Sequence, residues 1–480
     1  NQFNDTNGTP QENTDVAVRS SGTAEDLPDA SFAGQQETFL NVRNNNELIL
    51  SIKKCFASLY TDRAISYRMN KKLSCKIKLS VGVQKMVRSD LGSAGVAFSI
   101  DTESGFDKVI LINGAFGLGE FVVSGQVMPD EILVFKDKLN NVNKPIIEKK
   151  MGEKKYKLVY GKNPGKKIEK IKLVENYQSK FCITDEQILK LSYWIIELEK
   201  YYTKLFDRWC PLDIEWAIDG LTNQLYIVQA RPETVISKKN LNIIKEYSLK
   251  NNDNKKKKIL EGIAVGNKIG KGAIKKMFTL DSRDSLHNEF KKGDILVTEM
   301  TDPDWEPIMK IASAIITNKG GRTCHASIVA RELGVPAVVG TINGTELLED
   351  GKNVTVTCAD GEIGKVYDGL LDIKIKEINL NNLPKIKTKL MLNLASPEKS
   401  FNYHKYPVEG VGLVREEFIF NNYIKVHPSA LLNHTNLNDN KLSNEINKLC
   451  LGYSSEKDYF IKKLSFGISK IAATFYPKPV

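Results

Sequence analysis

The sequence predicts a multidomain chain that mixes α/β and α+β organisation, and three observations carry that expectation. Its 480 residues exceed what one core organises and point to roughly two to four domains. From Val16 to Val235 strand and helix patterns alternate. From Gly262 to about Leu370 short apolar strands surround one amphipathic helix, behind an Asn- and Lys-rich stretch that reads as a linker.

Taken in order, Glu47 to Asn70 reads as a helix with Leu48, Ile52, Phe56 and Leu59 on one side. Apolar strands follow at Ala94–Ile100, Val109–Ile112, Ile132–Phe135 and Leu225–Val228. The lysine-rich stretch from Ile146 to Leu173 reads as a hairpin excursion on the surface. Thr184 with Gln187 forms a capping box that opens a helix running through Leu205. A linker spans Ser237 to Lys258, and the following unit contains a hairpin at VTVTCADGEIGKVY. Its helix begins at His325, carries Ile328, Val329 and Leu333 on its apolar side, and stops at Gly334. Val335 to Val339 then reads as a strand entered through a proline. A second linker near Leu380 to Ile386 precedes a strand at Leu390–Leu394. The expected divisions are residues 1–240, 259–375 and 386–480.

Composition narrows the class. Hydrophobic residues make up 41% and charged residues 26%, as in soluble globular chains. No apolar run is long enough for a membrane span. The opening NQFNDTNGTPQENTD lacks the basic and apolar regions of a signal peptide. Seven cysteines without CxxC pairs fit a reducing, cytoplasmic setting. The net charge of +11 is spread out, with local runs at Lys255–Lys258 and between Lys149 and Lys172. With no basic stripe interleaved with aromatics, nucleic acid is not an expected partner.

Several residue sets could carry chemistry. His325 follows Gly320 and Gly321 at a loop–helix junction. Neutral imidazole is a nucleophile near pH 7, and a helix N-terminus stabilises the resulting phosphoryl group. A structural or capping histidine is the other reading. Arg19 precedes two hydroxyls, Ser20 and Ser21, and a guanidinium fork suits phosphate oxygens; alternatively it pairs with Glu25 or Asp26. Gly92, Gly95, Gly114, Gly117 and Gly119 follow Arg88 and could bring backbone amides close to phosphates, though glycine turns are common between strands. In DIEWAIDGLTNQLYIVQARPETV, strand alternation puts Asp213 and Glu215 on one face, and Gln229 and Arg231 likewise. Carboxylate and amide oxygens suit Mg²⁺; a charged pair on an exposed strand face is the alternative. In EGVGLVREEFIF, Arg415 ends a short apolar strand, and a bridge to Glu417 competes with anion binding.

The stretch GGRTCHASIVARELGVPAVVG from Gly320 resembles the phosphohistidine signature of the PEP-utilising enzymes. With TDPDWEPIMKIASAIITNKGG from Thr301 and VAVRSSGTAEDLPDASFAGQQETFLNV from Val16, it is similar to the phosphoenolpyruvate synthase (pyruvate, water dikinase) branch. The resemblance implies a partial ATP-grasp domain, a swivelling phosphohistidine β/α domain and the truncated start of a (β/α)8 barrel. It implies that His325 carries the phosphoryl group and that Arg19, Arg88 and Arg231 contact nucleotide phosphates. Glu215 and Gln229 would hold Mg²⁺, and Arg415 would grip the phosphate or carboxylate of PEP. The implied reaction turns ATP, pyruvate and water into AMP, PEP and phosphate, and the resemblance is compatible with a homodimer. Three departures stand out. Gly22 replaces a common Ala; DRWCPLDIEW stands where HYGRPMDIEW is frequent; Val414 and Glu416 replace Ala and Leu.

Two parts of the implied enzyme are expected to be missing. One is the N-terminal subdomain with its phosphate-binding lysine. The other is most of the barrel, which takes about 250 residues. The chain is therefore expected to be a fragment, cut short at Val480, that does not make PEP alone. Antibiotic phosphotransferases combine similar domains but place a substrate domain between them, which the order here argues against. A degenerate phosphorylatable binding module is the non-enzyme alternative.

Overall fold

The computed structural model describes residues 15–22, 26–27, 30–31, 38–70, 77–139, 144–161, 168–233, 243–250, 257–278, 290–380, 386–394, 396–434 and 439–480. Strand β1 (Val16–Gly22) is the middle of a three-stranded antiparallel sheet, between β2 (Thr38–Val42) and β3 (Leu79–Lys85). The helix expected over 47–70 is broken. Helix α1 (Asn45–Ala57) passes through a 3₁₀ turn at Ser58–Tyr60 into α2 (Asp62–Asn70). Thr61 makes the break: its backbone is extended, and its hydroxyl accepts from the Ala64 amide at 3.3 Å, as an alcohol N-cap does. The side of α1 toward the sheet carries Leu48, Ile52 and Cys55. Phe56, one residue past Cys55, rotates off that seam and is 45% exposed, contrary to expectation.

A six-stranded antiparallel sheet forms the centre of the molecule. Its strands are β4 (Ser93–Phe98), β5 (Val109–Phe116), β6 (Asp130–Phe135), β7 (Ile146–Lys150), β10 (Leu212–Ile218) and β11 (Leu225–Pro232), in the order β11-β10-β4-β5-β6-β7. Between β7 and β10 run the hairpin β8 (Tyr156–Tyr160) and β9 (Ile168–Lys172), then the long helix between 185 and 206. The lysine-rich stretch is thus only half a surface hairpin, because its first strand extends the main sheet. Lys154 is fully buried in an ion pair with Asp130, whose second oxygen accepts from the Cys182 amide. Helix α3 (Glu120–Val123) follows β5, and α4 (Asp185–Phe206) opens on the expected capping box, with both Thr184–Gln187 bonds formed.

Along β5 the two-residue period divides two cores. Val109 and Leu111 face one cluster with Phe98, Leu133 and Phe135; Ile110 and Ile112 face another with Ile188, Leu191 and Ile195 of α4. Both faces being covered explains why the strand reads as a continuous apolar run.

Beyond it lies a closed seven-stranded barrel. Its strands are β13 (Lys258–Val265), β14 (Ile269–Lys276), β15 (Ile295–Thr298), β16 (Ala314–Thr317), β17 (Ala337–Val339), β18 (Asn353–Thr357) and β19 (Ile363–Asp368), ordered β13-β17-β16-β15-β14-β18-β19 and closed by β19 on β13. The expected hairpin is β18–β19. Helix α5 (His325–Leu333) packs on the barrel through Ala326, Val329 and Ala330, and Gly334 ends it in the left-handed conformation. The first expected linker is not wholly irregular: its β12 (Ile243–Leu249) pairs with β20 (Ile373–Asn379), which ends just before the second, so the strands entering and leaving the barrel form one ribbon. Much of each linker, 234–242, 251–256 and 381–385, lies outside the described residues.

The last segment pairs β21 (Leu392–Leu394) in parallel with β22 (Val411–Val414), and α6 (Glu456–Phe475) packs beside them. Phe401 and Ala473 of this segment complete the first core of the central sheet, with Phe401 stacked on Phe106 at 4.8 Å. The architecture is a mixed α/β multidomain one with a barrel-like sheet. Replacing Thr184 by Ala removes one half of the capping box and is expected to lower stability by about 1 kcal/mol. Urea denaturation checks this, and superimposable curves would mean the cap contributes nothing.

Candidate active site

A cleft of about 350 Å³ opens between the three-stranded sheet and the central sheet, lined among others by Arg19, Lys85, Gly95, Gly119, Glu120 and Glu215. Its floor depends on the β10–β11 register. Asp213 lies opposite Arg231 and Glu215 opposite Gln229, while Trp216 pairs with Ile227, so Val228 is a bulge. The bulge keeps Glu215 and Gln229 as direct neighbours at the cleft. Arg19 reaches across from β1. Its Nη2 donates to Glu215 Oε2 at 2.9 Å and to Gln229 Oε1, and its Nη1 to the Val228 carbonyl at 3.3 Å. The alternative partners of Arg19, Glu25 and the side chain of Asp26, lie outside the described residues.

Two oxygens, one anionic and one neutral, therefore converge on a single cationic group. That donor set suits Mg²⁺, a hard cation that takes few protein oxygens and completes its shell with water and phosphate. The other two arginines are differently placed. Arg231 grips Asp213 Oδ2 through Nε at 2.9 Å and Nη2 at 2.6 Å. Arg88 forms a two-pronged bond to Asp90, both at 2.9 Å, and that bond raises its pKa above the ordinary value. Neither is among the residues lining the cleft. Of the five glycines, four are demanded by space: a Cβ on Gly92 would lie 2.2 Å from the Ile218 carbonyl oxygen and one on Gly114 2.5 Å from the Trp216 ring, and Gly95 and Gly117 are as tightly enclosed. A Cβ on Gly95 would lie 1.9 Å from the Asn113 carbonyl oxygen, and Gly117, at φ +94°, has the Leu158 carbonyl 2.5 Å from its Cβ position.

His325 is the first residue of α5, after Cys324, whose side chain makes no capping bond. The first-turn amides thus lack a side-chain cap from that residue. The ring is half-buried, with Nδ1 3.0 Å from the Thr301 hydroxyl. In the tautomer whose Nδ1–H donates to Thr301, Nε2 carries the ring's lone pair. Thr301 belongs to the TDPDW segment, yet nothing in its spacing from His325 announces the contact; folding alone brings them together.

The loop before His325 rests on the central sheet. The Asn113 amide donates to the Thr323 hydroxyl at 3.4 Å, Gly321 meets Pro129, and Gly125 lies directly over Cys324. One short segment consequently touches both places: Leu118, Gly119, Glu120 and Val123 line the cleft, and Gly125 contacts the His325 loop. Sequence reasoning missed a further set of buried charges at this junction. Arg331 donates to Glu103 through Nε at 2.8 Å, and Arg322 pairs with Glu362 at 2.9 Å. Burial alone would raise the Glu103 carboxyl, but Arg331 and Arg322 hold it below the ordinary value. Arg415 stands apart. It follows β22, its amide bonds the Leu394 carbonyl at 2.9 Å, and among the described residues no ion pair joins it to Glu417, the cleft or His325.

A cleft lined by Arg19 and Glu215 is joined through residues 118–125 to the loop of a histidine on a separate barrel, and comparison with known proteins shows the family. The chain belongs to the family of the pyruvate phosphate dikinase AMP/ATP-binding domain, whose model matches residues 1–251. The mobile domain of PEP-utilising enzymes matches residues 290–361. Among curated proteins, the chain is 49% identical to the phosphoenolpyruvate synthase of Aquifex aeolicus over 97% of its own length and 60% of that protein. It is 51% identical to that of Helicobacter pylori, over 97% and 58%, and 48% identical to that of Escherichia coli, over 98% and 58%. The chain thus spans about three fifths of the length of these relatives. A solution structure of an Enzyme I protein matches 18% of this chain and 32% of its own at 29% identity, with a TM-score of 0.14. No helix among the described residues is long and apolar enough to cross a membrane.

Two outcomes follow from this geometry. Thr301→Val removes the partner of Nδ1 and is expected to shift the tautomer balance of His325, read from its ring ¹⁵N resonances; an unchanged spectrum would remove Thr301 from the site. The depressed Glu103 contributes stability that is full above the unfolded glutamate value of about 4.3. That contribution is lost as pH falls through the lower folded value. Glu103→Gln should therefore flatten the acid limb of the stability–pH curve, measured by urea denaturation between pH 3 and 6.

Proposed function

We propose that this chain is the nucleotide-binding and phosphoryl-carrying portion of a pyruvate, water dikinase, which converts ATP, pyruvate and water into AMP, phosphoenolpyruvate and phosphate. Residues 1–240 are read as a partial ATP-grasp domain, 259–375 as the swivelling phosphohistidine domain, and 386–480 as the start of a (β/α)8 barrel for pyruvate and PEP. The parallel pairing of β21 with β22 supports the last of these, since barrel strands are joined that way. The observation that carries the reading is the segment 117–125, which lines the cleft and touches the loop of His325.

ATP lies in the cleft, with Arg19 on its phosphates and the glycine-rich turn at Gly117 and Gly119 covering them. Glu215 and Gln229 hold Mg²⁺, which supplies neutralisation of polyphosphate charge. Arg88 and Arg231 turn toward phosphate by exchanging part of their carboxylate bonds for it. His325 Nε2 attacks the β-phosphorus and AMP leaves; water then takes the γ-phosphate, leaving phospho-His325. On the barrel, pyruvate as its enolate accepts the phosphoryl group, with Arg415 gripping the phosphate or carboxylate. Cys182, Cys210, Cys324, Cys358 and Cys450 are free thiols, in keeping with a cytoplasmic enzyme, and a homodimer is the assembly we assign.

Label transfer tests the reading. With ATP carrying ³²P at the β position, the chain is expected to retain label that disappears in His325→Ala, and Glu215→Gln is expected to reduce its rate by about 10²-fold or more. Label retained only from the γ position would sink the dikinase assignment.

A further inference from the structure

The barrel that carries His325 packs its apolar residues separately from those of the central sheet. Its two apolar clusters are drawn from barrel residues alone, and the two clusters of the central sheet contain none of them. Beside the Asn113–Thr323 bond and the contact of Gly125 with Cys324, a set of buried ion pairs joins it to the rest. Lys470 of α6, 1% exposed, donates to Glu148 of β7 at 2.9 Å and to Glu362 of the barrel at 2.7 Å. Glu362 also pairs with Arg322, three residues before His325, and Arg322 pairs with Glu131 of β6 at 3.4 Å. Tyr423 donates to the other oxygen of Glu148 at 2.6 Å, Lys150 approaches Glu362 at 3.9 Å, and Arg331 holds Glu103 on the far side of the same junction.

This network divides cleanly. Arg322–Glu362 lies within the barrel, and Lys470–Glu148 joins α6 to the central sheet. Among the ion pairs of the described residues, Lys470–Glu362, Arg322–Glu131, Arg331–Glu103 and the outlying Lys150–Glu362 cross between bodies. Separation therefore breaks the crossing pairs while Arg322, Glu362, Lys470 and Glu148 each keep a partner. A permanently buried ion pair has no such property, since opening it strands both charges.

We propose that Lys470 and Arg322 are positioning residues of a reversible electrostatic latch, which seats the His325 loop on the nucleotide-side sheet and lets go with Lys470 still bonded to Glu148 and Arg322 to Glu362. This rests on the carrier reading above, and it names what holds the carrier at its first station. Cys324 reports on it directly, because it is 3% exposed and Gly125 of the central-sheet body lies over it.

The experiment measures iodoacetamide alkylation of Cys324 by mass spectrometry, alongside ³²P incorporation from β-labelled ATP. Lys470→Met sets Glu148 and Glu362 against each other when docked and is expected to speed alkylation about tenfold and slow labelling. Glu103→Gln, which leaves α6 untouched, should act in the same direction, and Lys470→Arg should resemble the parent chain. Hydrogen exchange in β16 should stay unchanged throughout. Unaltered alkylation in both Lys470→Met and Glu103→Gln overturns the latch, and so does faster exchange in β16, which would mean the barrel is unfolding. A parent chain that takes no label, with Cys324 still deprotected in the variants, would overturn the carrier reading and leave the latch standing.

Discussion

Burial of the central sheet on both faces is the constraint from which the rest of the architecture follows. Strand β5 has no solvent-facing side, so each face must be covered by something apolar. One cover is α4, later in the same chain; the other is completed by Phe401 and Ala473 of the C-terminal segment. The C-terminal segment is consequently part of the same packed body as the central sheet that floors the cleft. The barrel between them in sequence is not, because it closes on itself and satisfies its own apolar surface.

Two kinds of cohesion therefore coexist. Apolar packing is non-directional and weakens only gradually, which suits a body that must stay together. Buried ion pairs depend steeply on geometry and on each charge keeping a partner. Burial pushes the Glu362 carboxyl up, yet Arg322 and Lys470 outweigh it and hold the group well below the ordinary range. Lys470 is held above its ordinary value by Glu148 and Glu362 against the opposing effect of burial. These groups stay charged in the docked arrangement, and their attraction supplies the contact that apolar surface does not.

Inside the cleft the same balance works on a smaller scale. Asp90 and Asp213 occupy Arg88 and Arg231, leaving Arg19 as the guanidinium that faces the lining carboxylate of Glu215. A guanidinium bonded to both Glu215 and Gln229 orients these two oxygens together, and the Val228 bulge is what permits that orientation.

Local chemistry alone determined a good deal of this protein. The Thr184–Gln187 box, the start of α5 at His325, its stop at Gly334 and the β18–β19 hairpin depend on residues a few positions apart, so they were legible in the chain. Alternation also placed Asp213 with Glu215, and Gln229 with Arg231, on common faces. The break at Thr61, the burial of Lys154 and the ribbon of β12 with β20 were not legible, since each depends on a partner elsewhere. Only the tertiary structure decided that Arg19 turns to Glu215 and Gln229, that Thr301 meets His325, and that Lys470 and Arg322 share Glu362. The physical reason is distance along the chain: propensity and periodicity act over one or two turns, whereas a buried charge is settled by whichever opposite charge the whole fold brings within about 3 Å.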